Sequence, residues 1–265
     1  MITIKEYVRA KSLEEAWQLN QNKRNRILGG MLWMRLGNGM VNTAIDLSEL
    51  GLNVIEENEE EFSIGAMVSL RDLELHEGLN QYTANAIKNA VKDIVGVQFR
   101  NMATLGGSLW GRFGFSDVLT IFLALHTYVE LYQGGIVPLE EFAKMKEDRD
   151  ILVRVIVKKV PGRVVYQAMR NQSTDFPVLT CAVSHMNGSY KAVIGARPGK
   201  AVSCYDTEKR LESGVTKETI KLFAEDVAKS VSTQSNVRGS KEYRTHLIKV
   251  LIERGMTEGG YGDGN

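Results

Sequence analysis

The chain has 265 residues, 43% hydrophobic and 25% charged, which is enough to bury a substantial core in two or three compact units. Its 33 basic and 32 acidic residues leave a net charge of +1, which gives no electrostatic footprint for nucleic acid or an anionic membrane. The apolar stretches are too short to span a bilayer and the N-terminal residues lack the apolar segment of a signal peptide, so we expect a cytoplasmic protein.

Cysteine usage argues against a metal or cluster site. The two cysteines, Cys181 and Cys204, are too few for a disulfide scaffold, a structural zinc site or a self-contained iron–sulfur cluster. The four histidines are scattered, without an i,i+4 pair. We therefore expect no metal ligands, and core packing is the ordinary role of such thiols.

The first half of the chain alternates irregularly between strand and helix patterns. The expected elements are a helix from the capping box Ser12–Glu15 to about Asn20, strands at 26–28, 44–47 and 62–68, a short helix capped by Ser69, and helices at 84–94 and 118–125.

The second half contains more strand signals and ends in helices. The expected elements are a helical turn at 138–142, strands at 151–160 and 164–169 joined by a Pro161-Gly162 hairpin, strands at 178–185 and 190–194 joined at Asn187-Gly188, and helices at 207–212, 217–230 and 241–254, the last ended by Gly255. A domain boundary falls near residue 160, and a glycine-rich tail from Gly259 is expected to be disordered. Strands and helices without regular βαβ alternation predict an α+β fold.

Two Gly-Gly pairs are the candidate binding elements. Gly106-Gly107 is predicted to form a tight turn between an extended run and an apolar helix that opens at Asp117, and Gly29-Gly30 follows a short strand. Glycines allow main-chain N–H groups to approach an anion closely, and neighbouring hydroxyls can add donors. Asp117 can cap its helix or hold a ribose hydroxyl. Taken alone, paired glycines more often mark simple tight turns.

Three familiar motifs are incomplete. The stretch from Gly195 to Lys200 is one residue short of a phosphate-binding P-loop, and Ala201 stands where that loop needs a hydroxyl. Asn42 breaks the dinucleotide-binding glycine pattern that begins at Gly37. The sequence GGSLW lacks the second glycine of a hydrolase elbow. Nucleophilic hydrolysis has no support.

The segment QFRNMATLGGSL at 98–109 resembles the signature RNxATxGGN of the FAD-binding subunits of the molybdenum hydroxylases, the family of xanthine dehydrogenase and carbon monoxide dehydrogenase. Asp117 and the segments VPLEEF at 137–142, DFPV at 175–178 and VRGSKEYR at 237–244 occur in the family's order. The resemblance implies a two-subdomain FAD-binding fold of the PCMH/vanillyl-alcohol-oxidase type, then a smaller α+β domain. The implied boundaries are 1–160 (subdomains about 1–52 and 53–160), 163–256, and a disordered tail at 257–265.

The resemblance also implies a set of residues that bind FAD, and none that is itself catalytic. They are Leu28, Gly29, Gly30, Met31, Leu32 and Trp33 on a first phosphate loop, Thr104, Gly106, Gly107 and Ser108 on a second, Asp117 at sugar hydroxyls, and Ile151 and Leu152 near the flavin or adenine rings. Ile151 and Leu152 can equally be strand core. Arg112 and Arg170 can either meet an acceptor or serve solvation, and the aromatic stretch 110–115 can shape a pocket or simply pack.

The first loop departs from the family, because Gly30 is followed directly by Met31 instead of a hydroxyl or imidazole side chain. Ser108 replaces the family's usual asparagine. These departures predict an altered flavin environment.

As a flavoprotein subunit, the chain would receive electrons from iron–sulfur clusters on one partner, while a second partner holds the molybdenum cofactor. It would pass them to NAD or another acceptor. The alternatives are a stand-alone flavin reductase of the same fold, and a non-catalytic scaffold that has lost FAD.

Overall fold

A computed structural model describes residues 1–261, which contain twelve strands and ten α-helices. The strands are β1 Thr3–Arg9, β2 Arg26–Leu28, β3 Met40–Asp46, β4 Ile55–Glu57, β5 Glu61–Gly65, β6 Thr127–Leu131, β7 Gly135–Pro138, β8 Leu152–Lys158, β9 Gly162–Arg170, β10 Pro177–Met186, β11 Ser189–Gly195 and β12 Val202–Tyr205. The helices are α1 Leu13–Asn20, α2 Leu70–Leu75, α3 Glu77–Tyr82, α4 Ala86–Val91, α5 Val97–Met102, α6 Leu105–Trp110, α7 Asp117–Ala124, α8 Leu139–Lys144, α9 Lys217–Ser230 and α10 Lys241–Glu258.

The chain divides into two compact units, and neither is one continuous stretch of sequence. The first unit consists of Met1–Leu73, Val97–Gly111 and Thr127–Lys158, and the second of Glu74–Gly96, Arg112–His126 and residues 159–261. Two segments that precede residue 160 therefore belong with the C-terminal strands and helices: α4 packs on β9, and α7 packs on β10 and β11.

The first unit holds two sheets. β1, β3 and β2 form a parallel sheet in that order, and β4, β5, β8, β6 and β7 form an antiparallel sheet. Helix α1 begins where predicted, because the hydroxyl of Ser12 accepts the N–H of Glu15 at 3.1 Å and caps the helix. Its buried Ala16 packs against Ile45 of β3 in a core shared with Ile151, just before β8.

The second unit is built on one antiparallel sheet in the order β12, β11, β10, β9. The predicted hairpin between β10 and β11 is present, with Asn187 and Gly188 both at positive φ, as a two-residue hairpin turn requires. Helices α9 and α10 pack against each other, and α10 contacts β10 and β9. Mixed helices and sheets confirm the predicted α+β class.

Local predictions failed at several points. Pro161-Gly162 does not close a hairpin, because β8 pairs with β5 and β6 whereas β9 pairs with β10. Residues 207–212 form turns instead of a helix: the carboxylate of Asp206 accepts the N–H groups of Arg210 and Leu211, and Lys209 adopts a φ of 53°. The exposed strand β1 was not anticipated at all.

The last helix runs further than expected. Gly255 lies inside α10, where a Cβ atom would stand 2.8 Å from Cγ2 of Val183, so this glycine allows the helix to pack closely on β10. The helix continues to Glu258, two residues into the segment predicted to be disordered, and residues 262–265 of that segment lie outside the described residues. Over residues 1–261, no helix is both long and apolar enough to traverse a bilayer.

Candidate functional site

The two glycine pairs lie against each other in the first unit. A Cβ atom on Gly30 would overlap the carbonyl oxygen of Met102, and one on Gly29 would stand 2.9 Å from Oγ1 of Thr104. The next heavy atom from that Gly29 position is Cα of Gly107, at 3.8 Å. The glycines of the first pair therefore let two backbone segments approach more closely than any side chain would permit.

The second pair lies in a helix, which corrects the prediction of an extended run and a tight turn. Residues 97–102 form α5, and Gly106 and Gly107 occupy the first turn of α6. Thr104 caps this turn by accepting the N–H of Gly107 at 3.1 Å. Gly106 donates its N–H to Ala66 at 2.8 Å, and a Cβ atom on it would stand 2.7 Å from the same carbonyl oxygen. Close packing on Ala66 is what requires Gly106.

In this arrangement the main-chain N–H groups of residues 105–108, at the start of α6, all have acceptors. The N–H groups of Leu105 and Ser108 donate to Val68 and Thr104, at 2.8 and 3.0 Å, in addition to the bonds of Gly106 and Gly107. Thr104 accepts through Oγ1, which leaves its hydroxyl proton available to donate. The hydroxyl of Ser108 is itself bonded to the Thr104 carbonyl at 2.9 Å.

The main-chain N–H groups of residues 29–32, around the first glycine pair, lack such acceptors within the described residues. Within residues 1–261, the N–H groups of Gly29, Gly30, Met31 and Leu32 donate to no acceptor. Met31 adopts a φ of 57°, in the left-handed region that is uncommon for residues with a side chain. A run of unpaired N–H groups that includes a left-handed residue is typical of backbone nests that bind anions.

A cavity of about 260 Å³ opens beside these segments in the first unit. Seven of the residues predicted to bind the cofactor line it: Leu28, Gly29, Thr104, Gly106, Gly107, Ile151 and Leu152. Ile151 and Leu152 are only 1% and 5% exposed, so they line the cavity and belong to the core at the same time. The two alternatives considered for this pair are compatible.

The other predicted residues of these segments do not line the cavity. Gly30 packs behind it on Met102, Met31 joins a small apolar cluster with Leu28 and Val41, and Trp33 is 43% exposed. Leu32 is buried, and Ser108 is bonded to its own helix.

Asp117 lies in the second unit and has partners there. It is the first residue of α7, whose cap is Ser116, and it is 5% exposed. Its carboxylate accepts hydrogen bonds from the Tyr166 hydroxyl and the Arg170 guanidinium, the latter at 2.5 Å. Burial raises the pKa of Asp117 to about 6, and the charge of Arg170 and the Tyr166 hydroxyl offset part of that rise. Its contact with a cofactor sugar stays a prediction.

Sequence reasoning missed the polar residues of the cavity. Besides apolar neighbours, the lining includes Asn20, Arg26, Asp148, Arg149 and Asp150. The carboxylate of Asp150 accepts the N–H groups of Gln133, Gly134 and Ile151 at 2.8–3.2 Å, which fixes the turn that leads into β8. No local pattern could identify these residues, because they reach the cavity from segments more than a hundred positions apart, such as Asn20 and Arg149.

Comparison with known proteins places the chain in a family. Residues 3–161 match the FAD binding domain in molybdopterin dehydrogenase, and residues 164–258 match the CO dehydrogenase flavoprotein C-terminal domain. The chain therefore belongs to the family of FAD-binding subunits of the molybdopterin dehydrogenases, which confirms the resemblance found in the sequence. It is an oxidoreductase subunit with an FAD-binding domain.

Individual relatives are distant but match over nearly their whole length. The chain is 24% identical to the xanthine dehydrogenase FAD-binding subunit of Escherichia coli, over 97% of both chains. It is 26% identical to the nicotine 6-hydroxylase medium subunit of Paenarthrobacter nicotinovorans, over 96% of both. A chain of CO dehydrogenase from Oligotropha carboxidovorans has the same fold, with a TM-score of 0.85 at 20% identity and 98% coverage of both chains.

Proposed function

We propose that this chain holds FAD at the cavity of the first unit and serves as the flavin-carrying subunit of a multi-subunit molybdenum hydroxylase. The observation that carries the proposal is the run of four unpaired N–H groups, Gly29 to Leu32, beside a cavity lined by Gly29 and Gly107. Buried or half-buried N–H groups in proteins are nearly always paired, so such a run favours an anionic ligand. The diphosphate of FAD is an anion of this kind.

The walls of the cavity suit the remainder of a flat, aromatic ligand. Apolar side chains from several segments line it, namely Ile27, Leu28, Met34, Leu47, Met67, Trp110, Ile151 and Leu152. Thr104 can donate its hydroxyl proton toward the diphosphate while still capping α6. The volume of about 260 Å³ is below the range of about 300–1,000 Å³ usual for small-molecule sites. We infer that this cavity holds part of the dinucleotide and that the rest extends beyond it.

The role of the protein is to bind and orient the cofactor. A bound flavin supplies the ability to accept electrons singly and release them in pairs. With two cysteines, this sequence has too few thiolates to ligate an iron–sulfur cluster. Clusters and molybdenum cofactor would therefore be held by partner subunits, as the relatives described as medium subunits suggest. The acceptor is a separate question, and NAD is one candidate for it.

The proposal is tested by titrating the purified chain with FAD and following the quenching of flavin fluorescence. We expect saturation at one FAD per chain, and a yellow protein that absorbs at about 450 nm, the region expected of oxidised flavin. NADH is then added to the FAD-loaded chain. Bleaching of the flavin absorption band would show that electrons pass between NADH and the flavin, as they must if NAD is the acceptor.

Purification of the native complex provides the second arm. Metal analysis is expected to find iron and molybdenum in the complex and neither in the isolated chain. A chain that binds no FAD, alone or in the complex, would refute the proposal and favour the alternative of a non-catalytic scaffold. A chain that binds FAD but purifies without iron or molybdenum partners would favour the stand-alone reductase.

A further inference from the structure

The rim of the same cavity carries two arginines that have no acidic partner. Arg26 lies on β2 and Arg149 lies just before β8, and both line the cavity. Within the described residues, neither guanidinium forms an ion pair with a carboxylate. Unpaired arginines next to each other are unusual, because their like charges repel.

The two guanidinium groups meet on one carbonyl oxygen. Nη1 of Arg26 donates to the carbonyl of Asn25 at 2.7 Å, and Nη2 of Arg149 donates to the same oxygen at 3.0 Å. Burial and the charge of Arg26 both lower the pKa of Arg149. The backbone thus holds two positive charges close together instead of letting them separate.

Within the described residues, each guanidinium has N–H donors without an acceptor. The bonds of Arg26 all use Nη1, so its Nε and Nη2 donate to no group in residues 1–261. Arg149 uses Nε and Nη2 for carbonyl and amide oxygens of Asn20, Asn22 and Asn25, so its Nη1 has no partner among them. Nε and Nη2 of an arginine form the planar fork that binds phosphate with two hydrogen bonds.

Within residues 1–261, the acidic residues of the cavity form no ion pair with either arginine. The carboxylate of Asp150 is taken up by three main-chain N–H groups, and Asp148 accepts the N–H of Asp150 at 3.0 Å. Both carboxylates accept main-chain N–H groups in the segments that lead into β8.

We propose that Arg26, supported by Arg149, binds a phosphate group of the nucleotide held in this cavity and thereby contributes to its selection. The inference rests on the proposed function for the identity of that nucleotide as FAD. The chemistry itself is more general, because two forked donors recognise any phosphate ester. Arg26 presents the free fork, while Arg149 holds the Asn20–Asn25 segment through its bonds to carbonyls and adds the second charge.

The test compares Arg26→Gln with Arg24→Gln in the full chain. Arg24 is an exposed arginine of the same segment that does not line the cavity, so it controls for a general loss of positive charge. Both variants are titrated with FAD, with ADP and with riboflavin, which has no phosphate. Arg149 is left unchanged, because removing its bonds to three carbonyls would disturb the fold.

In salt of about 0.01 M, where screening is weak, Arg26→Gln is expected to raise the Kd for FAD and for ADP about tenfold, because the variant loses the charge and the forked hydrogen bonds to phosphate. At about 1 M salt the difference should shrink to about twofold. Riboflavin should bind both variants equally, and Arg24→Gln should bind FAD as the unaltered chain does.

Equal FAD affinity for Arg26→Gln and the unaltered chain would overturn the inference, as would equal weakening by Arg24→Gln or a matching loss of riboflavin binding. Failure of the proposed function gives a different result, namely an unaltered chain that binds no FAD. If such a chain still binds ADP and Arg26→Gln weakens that binding, the phosphate site stands and only its ligand changes.

Discussion

Gly30 and Met102 lie so close that a Cβ atom on the glycine would overlap the methionine's carbonyl oxygen. The two segments that carry the glycine pairs therefore fit together backbone to backbone before any ligand is considered. The glycines of the two pairs therefore serve two purposes, close packing of the backbone and lining of the cavity. Gly30 is needed by the fold, Gly29 and Gly107 border the cavity, and Gly106 does both, because it packs on Ala66 and also lines the cavity.

The first prediction concerns the fold. Gly30→Ala should lower stability by about 3 kcal/mol, since the obstacle is a backbone carbonyl that cannot swing away. The measurement is the thermal unfolding midpoint of the full chain. Gly39→Ala is the matched control in the same unit, because a Cβ atom there meets nothing within 4 Å. Equal midpoints for the two variants would show that the segments are not packed as described.

A second prediction follows from the packing of α10 on β10. Gly255→Ala improves helix propensity by about 1 kcal/mol, yet it should destabilise the protein, because the new methyl group would stand 2.8 Å from Val183. Adding Val183→Ala to Gly255→Ala should make room for that methyl group. We expect a favourable coupling of about 1 kcal/mol or more in a double-mutant cycle by urea unfolding. Strict additivity would contradict the close contact.

The third prediction concerns pH. The folded-state pKa of Asp117 is raised to about 6 from an ordinary value of 3.8, so the folded protein binds the proton more tightly than the unfolded chain does. The contribution of this group to stability is therefore largest below pH 4 and falls as pH rises to about 6, by at most about 3 kcal/mol at 1.36 kcal/mol per pKa unit.

Urea unfolding of the unaltered chain and of Asp117→Asn from pH 4.5 to 7.5 checks this sign. The asparagine does not titrate, so the unaltered chain should lose stability relative to Asp117→Asn as pH rises. A relative stability that stays constant over this pH range would mean that the ion pair with Arg170 outweighs burial and holds the folded pKa at or below its usual value.

Much of the fold follows from local signals in the sequence. Helix α9 begins and ends where predicted, because the hydroxyl of Thr216 accepts the N–H of Thr219 and closes a capping box. The hairpin at Asn187-Gly188 was equally predictable from the sequence, because both residues favour positive φ. Such features depend on a few neighbouring residues and need no information from the rest of the chain.

Secondary-structure predictions failed where contacts between residues far apart in the sequence outweigh the conformational preference of the local residues. Two adjacent glycines disfavour a helix, yet Gly106 and Gly107 begin α6 because Ala66 packs against this turn. Gly255 would end a helix on propensity alone, but its contact with Val183 keeps it inside α10. The motif located the glycine segments of the site, but the arginines of its rim come from β2 and from the segment that precedes β8, which only the fold brings together.

FAD titration of Gly107→Ala and Gly107→Val determines whether FAD lies against Gly107 in the cavity of the first unit. A Cβ atom at this position meets only Oγ1 of Thr104, at 3.0 Å, so the chain should fold while the larger side chain intrudes on the cavity. Gly39→Val, in open space, is the control. We expect a graded loss, with Kd rising about tenfold or more for the valine variant and unchanged for Gly39→Val. Folded Gly107→Val protein that binds FAD with the affinity of the unaltered chain would show that FAD does not lie against Gly107.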